Sequence, residues 1–315
     1  MIFINFFIFL LSLFIVVKSA DFCVLYSSRI ARFFRLSEFI VSFLIIAVIS
    51  VFPEASIAII SALQGEPSFG LGTLLGSNVA DLTFVFGVVA LFSLKGIRVK
   101  SEIIKKDFFY LLLLLYPLVL GFDGFFSRID GIALILGGSL FFYTLSIESS
   151  LFHKRFEHRG RHTLFKNLFL LVISLSVLLF GSHIALQSGV AFAHEISLPP
   201  ILIALTLVAL GTCLPELLFS LRAVKTKHDS LALGDILGTV ITDATIVLGI
   251  VVLIQPFHFQ PALIYVTGLT MFFAGLLVIF FISSKRVLTK KHGIVLLILY
   301  LLFLAVEFLV NRIYP

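Results

Sequence analysis

Charged side chains are scarce in this 315-residue chain, at 13% of the residues, whereas 60% of the residues are hydrophobic. The mean hydropathy of +1.18 excludes a soluble globular protein, because no core of that size conceals so much apolar surface. Only two cysteines occur, Cys23 and Cys213, which excludes a disulfide framework. The eight histidines show no metal-ligand spacing, so a soft-metal centre is also excluded. These deficits indicate a polytopic membrane protein.

Ten apolar segments are long enough to cross a hydrocarbon layer of ~30 Å, which takes about 20 helical residues. The sequence therefore predicts an all-α membrane protein with ten transmembrane helices. The first segment lacks a basic stretch before it and a small-residue cleavage site after it, so we expect a retained helix rather than a signal peptide. The ten segments are 2–19, 38–63, 69–94, 106–122, 130–149, 166–188, 198–222, 231–255, 262–283 and 292–311.

Lysine and arginine are concentrated in alternate connections between these segments. Of the 23 basic residues, all but Arg128 and Arg312 fall on one face. The positive-inside rule predicts that this face is cytoplasmic, in the plasma membrane, and that both termini are extracytoplasmic. The net charge of +6 then needs no nucleic-acid partner. We expect the lipid bilayer and inorganic cations as partners, with no obligate protein partner.

The second half of the chain repeats the first at an offset of 162 residues, the distance from Pro53 to Pro215. LGTLLGSNVADLTFVFG (71–87) aligns without a gap on LGDILGTVITDATIVLG (233–249). Five helices in each repeat, an odd number, predict two inverted-topology repeats, which are typical of secondary transporters with a site at the bilayer midplane. The predicted units are a first repeat at 1–149 with its motif at 49–87, a short basic cytoplasmic loop at 150–165, and a second repeat at 166–315 with its motif at 211–249.

Each repeat carries a Pro-Glu pair within an apolar segment. Proline lacks an N–H group and clashes with the carbonyl four residues back, so Pro53 and Pro215 should break their helices and free main-chain carbonyls. A carboxylate near the membrane centre is costly unless it faces a cavity, a partner or an ion. Glu54 and Glu216 are therefore candidate cation ligands, as an alternative to stray acids that stay protonated inside a structural bundle.

Two aspartates follow the glutamates at the same offset, Asp81 and Asp243. Glycines at four-residue spacing precede each aspartate and permit close approach of neighbouring backbones, which should bring aspartates and glutamates together. Carboxylates and main-chain carbonyls are hard donors that suit Ca²⁺, Na⁺ or Mg²⁺. The packing glycines are Gly72, Gly76, Gly234 and Gly238.

At these positions the chain resembles the sodium/calcium exchanger family, within the cation/calcium antiporter group, in a short form without a large cytoplasmic regulatory loop. The resemblance implies a ten-helix inverted-repeat fold that works by alternating access. It places the cation-coordinating glutamates at Glu54 and Glu216, and the second acidic or amide pair at Asp81 and Asp243. It also implies neutral hydroxyl ligands at Ser50, Thr212, Ser77 and Thr239.

The chain departs from the family pattern at four positions near the acids. Val51 and Cys213 stand where the family has serine, Ile49 replaces a glycine, and Val240 replaces an asparagine. Loss of both serine hydroxyls counts against the family's sodium sites. Aspartate at both second positions makes the site more acidic than usual, and four close carboxylates should bind protons when no cation is present. Proton coupling is therefore an alternative to sodium coupling.

We expect a cation antiporter, without cofactor or enzymatic activity, that exchanges Ca²⁺ or a similar divalent cation for Na⁺ or H⁺. One alternative is a degenerate family member that binds cations without transporting them, which Ile49, Val51 and Val240 favour. Another is an intramembrane aspartic protease, because Gly234-Asp235 resembles that class's Gly-Asp signature. The Tyr-Asp pair that the protease chemistry needs does not occur in the chain.

Overall fold

The computed structural model describes residues 2–34, 37–65, 67–93, 96–98, 107–151, 161–195, 209–259, 261, 264–285 and 287–313. This part of the chain is mostly helical. Seven of its helices are long and apolar enough to cross a membrane, or eight spans if a helix pair bent by 42° counts as one. The chain is therefore an integral membrane protein.

The described helices include several wider, π-helical turns. In chain order they are α1 (Ile2–Phe34), α2 (Glu38–Ser50), α3 (Phe52–Leu63), α4 (Pro67–Phe92), α5 (Asp107–Leu120), α6 (Arg128–Leu151), α7 (Arg161–Glu195), α8 (Ala209–Thr212), α9 (Leu214–Lys225), α10 (Asp229–Ile254), α11 (Leu269–Lys285) and α12 (Lys290–Ile313). The π-helical turns are Ser42–Ile46 in α2, Asp81–Val85 in α4, Thr242–Val247 in α10 and Ile264–Gly268 before α11.

The first helix is longer than the sequence predicts. The apolar run predicts a span at 2–19, but α1 continues without a break to Phe34. No glycine or proline interrupts residues 20–34, and α1 packs along α7. The predicted span ends at 19 and so leaves Lys18 at its end and Arg29 in the first connection, but both lie on this helix with their charges over aromatic rings of the same helix.

The other predicted spans correspond to helices with shifted ends, and the described residues account for seven or eight membrane-crossing spans of the ten predicted. Predicted span 106–122 contains α5, which at Asp107–Leu120 is shorter than a typical membrane-crossing helix. Predicted span 198–222 lies partly outside the described residues and is represented by α8 and α9. The span at 38–63 is the bent pair α2 and α3.

The most buried helices are α4 and α10, which carry the two halves of the repeated motif. In their most apolar windows, 78% and 83% of the residues are buried, against 22% for α12. α10 packs against α2 and α9, while α4 packs against α3 and α8. Each central helix therefore contacts broken-helix segments from both repeats.

Two short antiparallel strand pairs join the repeats. β1 (Ile97–Arg98), which follows α4, pairs with β4 (Val287–Leu288), which follows α11. β2 (Phe125–Phe126), which follows α5, pairs with β3 (Phe257–His258), which follows α10. Because β1 precedes α5 and β2 follows it, the two pairs lie at opposite ends of that helix. Each pair combines one strand from each half of the chain.

Candidate functional site

The two Pro-Glu pairs lie at matching helix breaks. Val51 separates α2 from α3, and Cys213, 162 residues later, separates α8 from α9. The carbonyl of each break residue accepts the first main-chain bond of the following helix, from Ala55 N to Val51 O at 2.9 Å and from Leu217 N to Cys213 O at 3.0 Å. We call Val51 and Cys213 with their flanking residues the first and second hinge. Each proline occupies the first turn of the helix that follows its hinge, where its missing N–H costs no helical bond.

Glu54 and Glu216 lie in the first turns of α3 and α9. Each is 1% exposed, so both carboxylates are withdrawn from solvent and lipid. The partial positive charge of a helix N-terminus stabilises a carboxylate there. The hinge therefore provides an anionic ligand next to a helix end, at the same place in both halves.

Asp81 and Asp243 lie in the first turns of two π-helical segments, Asp81–Val85 and Thr242–Val247. Both side chains are buried. A π-helical turn inserts one extra residue into a helix, and such turns occur frequently at functional sites. The sequence predicts the two aspartates but not these turns, which are related by the repeat offset.

The four carboxylates lie close enough for their charges to interact. Glu54 interacts electrostatically with Asp243 and Asp81, and Glu216 interacts with Glu54 and Asp81. Buried carboxylate oxygens normally have hydrogen-bond partners, because burial without one is costly. Six oxygens of this group have no such partner among the described residues: Glu54 Oε2, Asp81 Oδ1, Glu216 Oε1 and Oε2, and Asp243 Oδ1 and Oδ2.

The carboxylates approach each other without converging on one point. Among the described residues, no three His, Cys, Asp or Glu side chains are arranged closely enough to hold a metal ion together. A cation in this group would therefore also need neutral oxygens from hydroxyls and main-chain carbonyls, or a small movement of the carboxylates.

The predicted hydroxyl ligands divide into one pair in contact and two separate residues. Ser50 Oγ at the first hinge lies 3.2 Å from Thr239 Oγ1 on α10, although 189 residues separate them in the chain. Ser77 Oγ donates to Leu74 O of its own helix at 3.0 Å. Thr212 is buried at the end of α8. The structure thus brings together Ser50 and Thr239, one residue from each repeat.

Gly234 and Gly238 make the close approach that the sequence predicts for the packing glycines. A Cβ atom at Gly238 would lie 2.6 Å from Ala47 Cβ and 3.0 Å from Phe43 O, and one at Gly234 would collide with Phe39 O. These glycines therefore let α10 approach α2. A Cβ atom at Gly76 would meet no described atom within 4 Å, so the first-repeat counterpart shows no such approach in the described part of the chain.

Three polar contacts at the hinges were not predicted from the sequence. Ser50 Oγ donates to Asp235 Oδ1 at 3.1 Å. At the other hinge, the Cys213 thiol donates to Ser77 O at 3.8 Å and also hydrogen-bonds the Asp81 carboxylate. Asp235 precedes Thr239 by four residues, which places both on one helical face, and that spacing is the signal that could have identified it.

The chain matches known proteins over nearly its whole length. A family model described as sodium/calcium exchanger protein matches residues 4–146 and 166–309, one segment in each half. The sodium/calcium exchanger MaX1 of Methanosarcina acetivorans is 27% identical, over 98% of this chain and 99% of its own. The inner membrane protein YrbG of Escherichia coli is 28% identical over 80% of either chain.

The fold also matches a solved structure. The sodium/calcium exchanger from Methanococcus jannaschii aligns with a TM-score of 0.83 and 27% identity, covering 97% of this chain and 99% of the exchanger. The resemblance inferred from the motifs is therefore confirmed. The relatives whose names state an activity are exchangers rather than enzymes, so the intramembrane protease alternative is wrong.

Proposed function

Because the chain belongs to the sodium/calcium exchanger family, we propose that it is a secondary active antiporter that exchanges Ca²⁺, or a similar divalent cation, for Na⁺ or H⁺. The exchange site lies at the bilayer midplane, between the two hinges. No cofactor takes part, and the cations are the transported substrates.

The observation that carries this proposal is the group of four buried carboxylates at repeat-related positions. Six of its oxygens have no hydrogen-bond partner among the described residues. Ionised carboxylates without partners are unstable in a low-dielectric interior, so the group requires cations or protons. Carboxylate, hydroxyl and carbonyl oxygens are the donors that Ca²⁺ binds, and soft metals would require a different set.

Each residue type in the site has a distinct role in this proposal. Glu54 and Glu216 bridge the divalent cation between the hinges. Asp81 and Asp243 complete the negative charge and bind or relay the counter-ion. Pro53 and Pro215 break the helices, and the four motif glycines permit close packing. The neutral oxygens come from Ser50, Ser77, Thr212 and Thr239.

Alternating access follows from two inverted five-helix repeats that meet at the site. The strand pairs support this topology, because β1 pairs with β4 at one end of α5 and β2 pairs with β3 at the other. We place the ten spans in the plasma membrane, and the positive-inside rule supports extracytoplasmic termini. The repeat bounds remain those predicted from the sequence, 1–149 and 166–315.

Reconstitution in liposomes tests the function and its coupling ion. Uptake of ⁴⁵Ca²⁺ is measured with an outward Na⁺ gradient and, separately, with an outward H⁺ gradient, using Glu54→Gln as the inactive control. Uptake driven by either gradient and abolished by the substitution supports antiport, and the effective gradient identifies the counter-ion. Uptake that ignores both gradients, or that persists in Glu54→Gln, contradicts the proposal.

A cation-binding protein that does not transport is the second candidate. Val51 and Val240 favour it, because both are buried apolar side chains at positions where a polar ligand was expected. Equilibrium binding of ⁴⁵Ca²⁺ to the purified protein, without uptake under any imposed gradient, would establish this alternative.

A further inference from the structure

Cys213 at the second hinge carries a buried thiol, and the roles given above leave it without a function. Its side chain is 1% exposed. Sγ lies 3.8 Å from Ser77 O, and the thiol also donates to the Asp81 carboxylate. Ser77 and Asp81 are four residues apart on α4, so both acceptors lie on one face of that helix. The thiol therefore ties the second hinge to the aspartate that α4 contributes to the four-carboxylate group.

The hydrogen bond leaves one oxygen of Asp81 for a cation. Asp81 Oδ1 is buried and has no partner among the described residues, so the thiol bonds to the other carboxylate oxygen. Both carboxylate oxygens of Glu216, three residues after Cys213, also lack a partner there. Carboxylates that bind metal ions are themselves held by hydrogen bonds, which fix the direction of the ligand oxygen. The thiol is placed to fix Asp81 Oδ1 in this way.

The first hinge has no equivalent group for Asp243. Val51 occupies the position related to Cys213 by the repeat, and its side chain has no polar atom. Both carboxylate oxygens of Asp243 lack a hydrogen-bond partner among the described residues. In the described part of the chain, a hinge side chain therefore orients Asp81 and leaves Asp243 to its π-helical turn alone.

The chemistry of sulfur suits a supporting group better than a ligand. Ca²⁺ and Na⁺ take oxygen donors, and a protonated thiol is a weak ligand for either. The same S–H group is a hydrogen-bond donor, and a bond to an ionised carboxylate is stronger than one to a neutral acceptor. The Asp81 carboxylate is therefore a better acceptor for this thiol than the Ser77 carbonyl.

We propose that Cys213 is a positioning residue whose S–H group holds one oxygen of Asp81 and so directs Oδ1 at the transported cation. This inference rests on the proposed antiport function and deepens it, because it gives the sulfur a supporting role in the same site. The bond also joins a hinge of the second repeat to a cation ligand of the first.

A double-mutant cycle on the purified full-length protein tests the positioning role. Equilibrium binding of ⁴⁵Ca²⁺ is measured for the wild type, Cys213→Ala, Asp81→Asn and the double variant. We expect Cys213→Ala to lower Ca²⁺ affinity about 3-fold, a small effect for a supporting group because a thiol is a weak donor. When Asp81 is already replaced, the same change should lower the affinity less than ~1.5-fold, because the thiol acts through that carboxylate.

Two further variants control this measurement. Cys213→Ser keeps a hydrogen-bond donor at the second hinge and should retain the wild-type Ca²⁺ affinity. Cys23→Ala makes the matched thiol-to-methyl change at the other buried cysteine, on α1, and should also leave the Ca²⁺ affinity unchanged.

The S–H stretching vibration provides a readout that a merely structural role would not change. In a Cys23→Ser background, Cys213 carries the one thiol of the protein, so its infrared band is assigned without ambiguity. Ca²⁺ binding should shift this band to higher wavenumber, because the cation draws charge from the carboxylate that accepts the bond. Asp81→Asn should produce a shift in the same direction without any cation.

The outcomes separate this inference from the proposed function. Equal effects of Cys213→Ala in the two backgrounds, or an S–H band that neither Ca²⁺ nor Asp81→Asn shifts, overturn the positioning role and leave the antiport proposal intact. Absence of Ca²⁺ binding by the wild type overturns the proposed function, whereas the cation-free shift in Asp81→Asn would still establish the thiol–carboxylate bond. Cys213→Val, which installs the first-hinge residue, replaces Cys213→Ala in the cycle if the alanine variant does not fold.

Discussion

Both hinges are a helix break followed by a Pro-Glu pair, but the side chains that make contacts there differ. At the first hinge, Ser50 bonds across to Asp235 and Thr239 of α10, so the contacts are made by oxygen alone. At the second hinge, Cys213 reaches Ser77 O and Asp81 of α4 through a thiol. In both cases a hinge residue of one repeat contacts the central helix of the other.

Sulfur and oxygen do not serve the same cations. A thiol is a soft, weak ligand for Na⁺ or Ca²⁺, whereas hydroxyl and carboxylate oxygens bind both. The glutamates and aspartates are therefore placed symmetrically in the two repeats. The hard oxygen donors beside them are not, because the first hinge has a hydroxyl where the second hinge has a thiol. The symmetric glutamates and aspartates are the part of the site that the proposed divalent ion would share between the repeats.

Removal of either hinge glutamate should have the largest effect, because each repeat contributes one bridging glutamate to the divalent site in this account. Glu54→Gln and Glu216→Gln should each lower Ca²⁺ affinity about 100-fold, or about 2.7 kcal/mol. Binding of ⁴⁵Ca²⁺ to purified protein measures this. Glu38→Gln is the control, since Glu38 pairs with His228 at a partly exposed helix end. A strong loss from only one of the two hinge variants would show that the divalent site is not shared.

A methyl group at Gly238 should destabilise the protein, because it would overlap Ala47 and Phe43 of α2. Overpacking of this kind costs about 1–3 kcal/mol. The measurement is the thermal unfolding temperature in detergent, for Gly238→Ala and for Gly76→Ala at the repeat-related position. We expect a clear decrease only for Gly238→Ala. An equal decrease for both would mean that α4 is packed as closely as α10.

The two aspartates should differ in their contribution to cation binding. Both carboxylate oxygens of Asp243 lack a partner among the described residues, whereas Asp81 has the Cys213 thiol. Asp243→Asn should therefore lower Ca²⁺ affinity about 10-fold, or about 1.4 kcal/mol, and Asp81→Asn should lower it less. Calorimetric Ca²⁺ titration of both variants measures the difference. The reverse order would contradict the inferred inequality of the repeats.

Replacing the thiol by a hydroxyl should make the second hinge more like the first. Cys213→Ser supplies a hard oxygen at a buried position beside Asp81, so Na⁺ affinity should rise about 3-fold, or roughly 0.7 kcal/mol. The measurement is Na⁺ competition against bound ⁴⁵Ca²⁺, with Cys23→Ser on α1 as the thiol control. A decrease in Na⁺ affinity would show that the thiol is itself required.

Local chemistry made the repeats and the hinge glutamates predictable. Proline and glutamate are costly in a membrane helix, so their recurrence at one offset reveals function without any knowledge of the fold. Gly234 and Gly238 were predictable for the same reason, because only a missing side chain permits close helix packing.

Long-range packing decided the features that the sequence did not reveal. The Ser50–Asp235 contact joins residues 185 positions apart, and the only local signal for it is that Asp235 shares a helical face with Thr239. The π-helical turns at Asp81 and Asp243 depend on how α4 and α10 pack in the bundle. The continuation of α1 to Phe34 was missed because its charges suggested a connection, although they are accommodated along a helix that packs on α7.

The most direct test of the central claim is to locate the divalent cation in crystals. Crystals of the wild-type protein soaked in Sr²⁺, as a strongly scattering substitute for Ca²⁺, would be measured for anomalous diffraction. The account predicts a peak between Glu54 and Glu216, within reach of Asp81 and Asp243, that is absent in Glu54→Gln crystals. A peak elsewhere, or one that persists in the variant, would contradict the claim that the two hinges share one divalent ion.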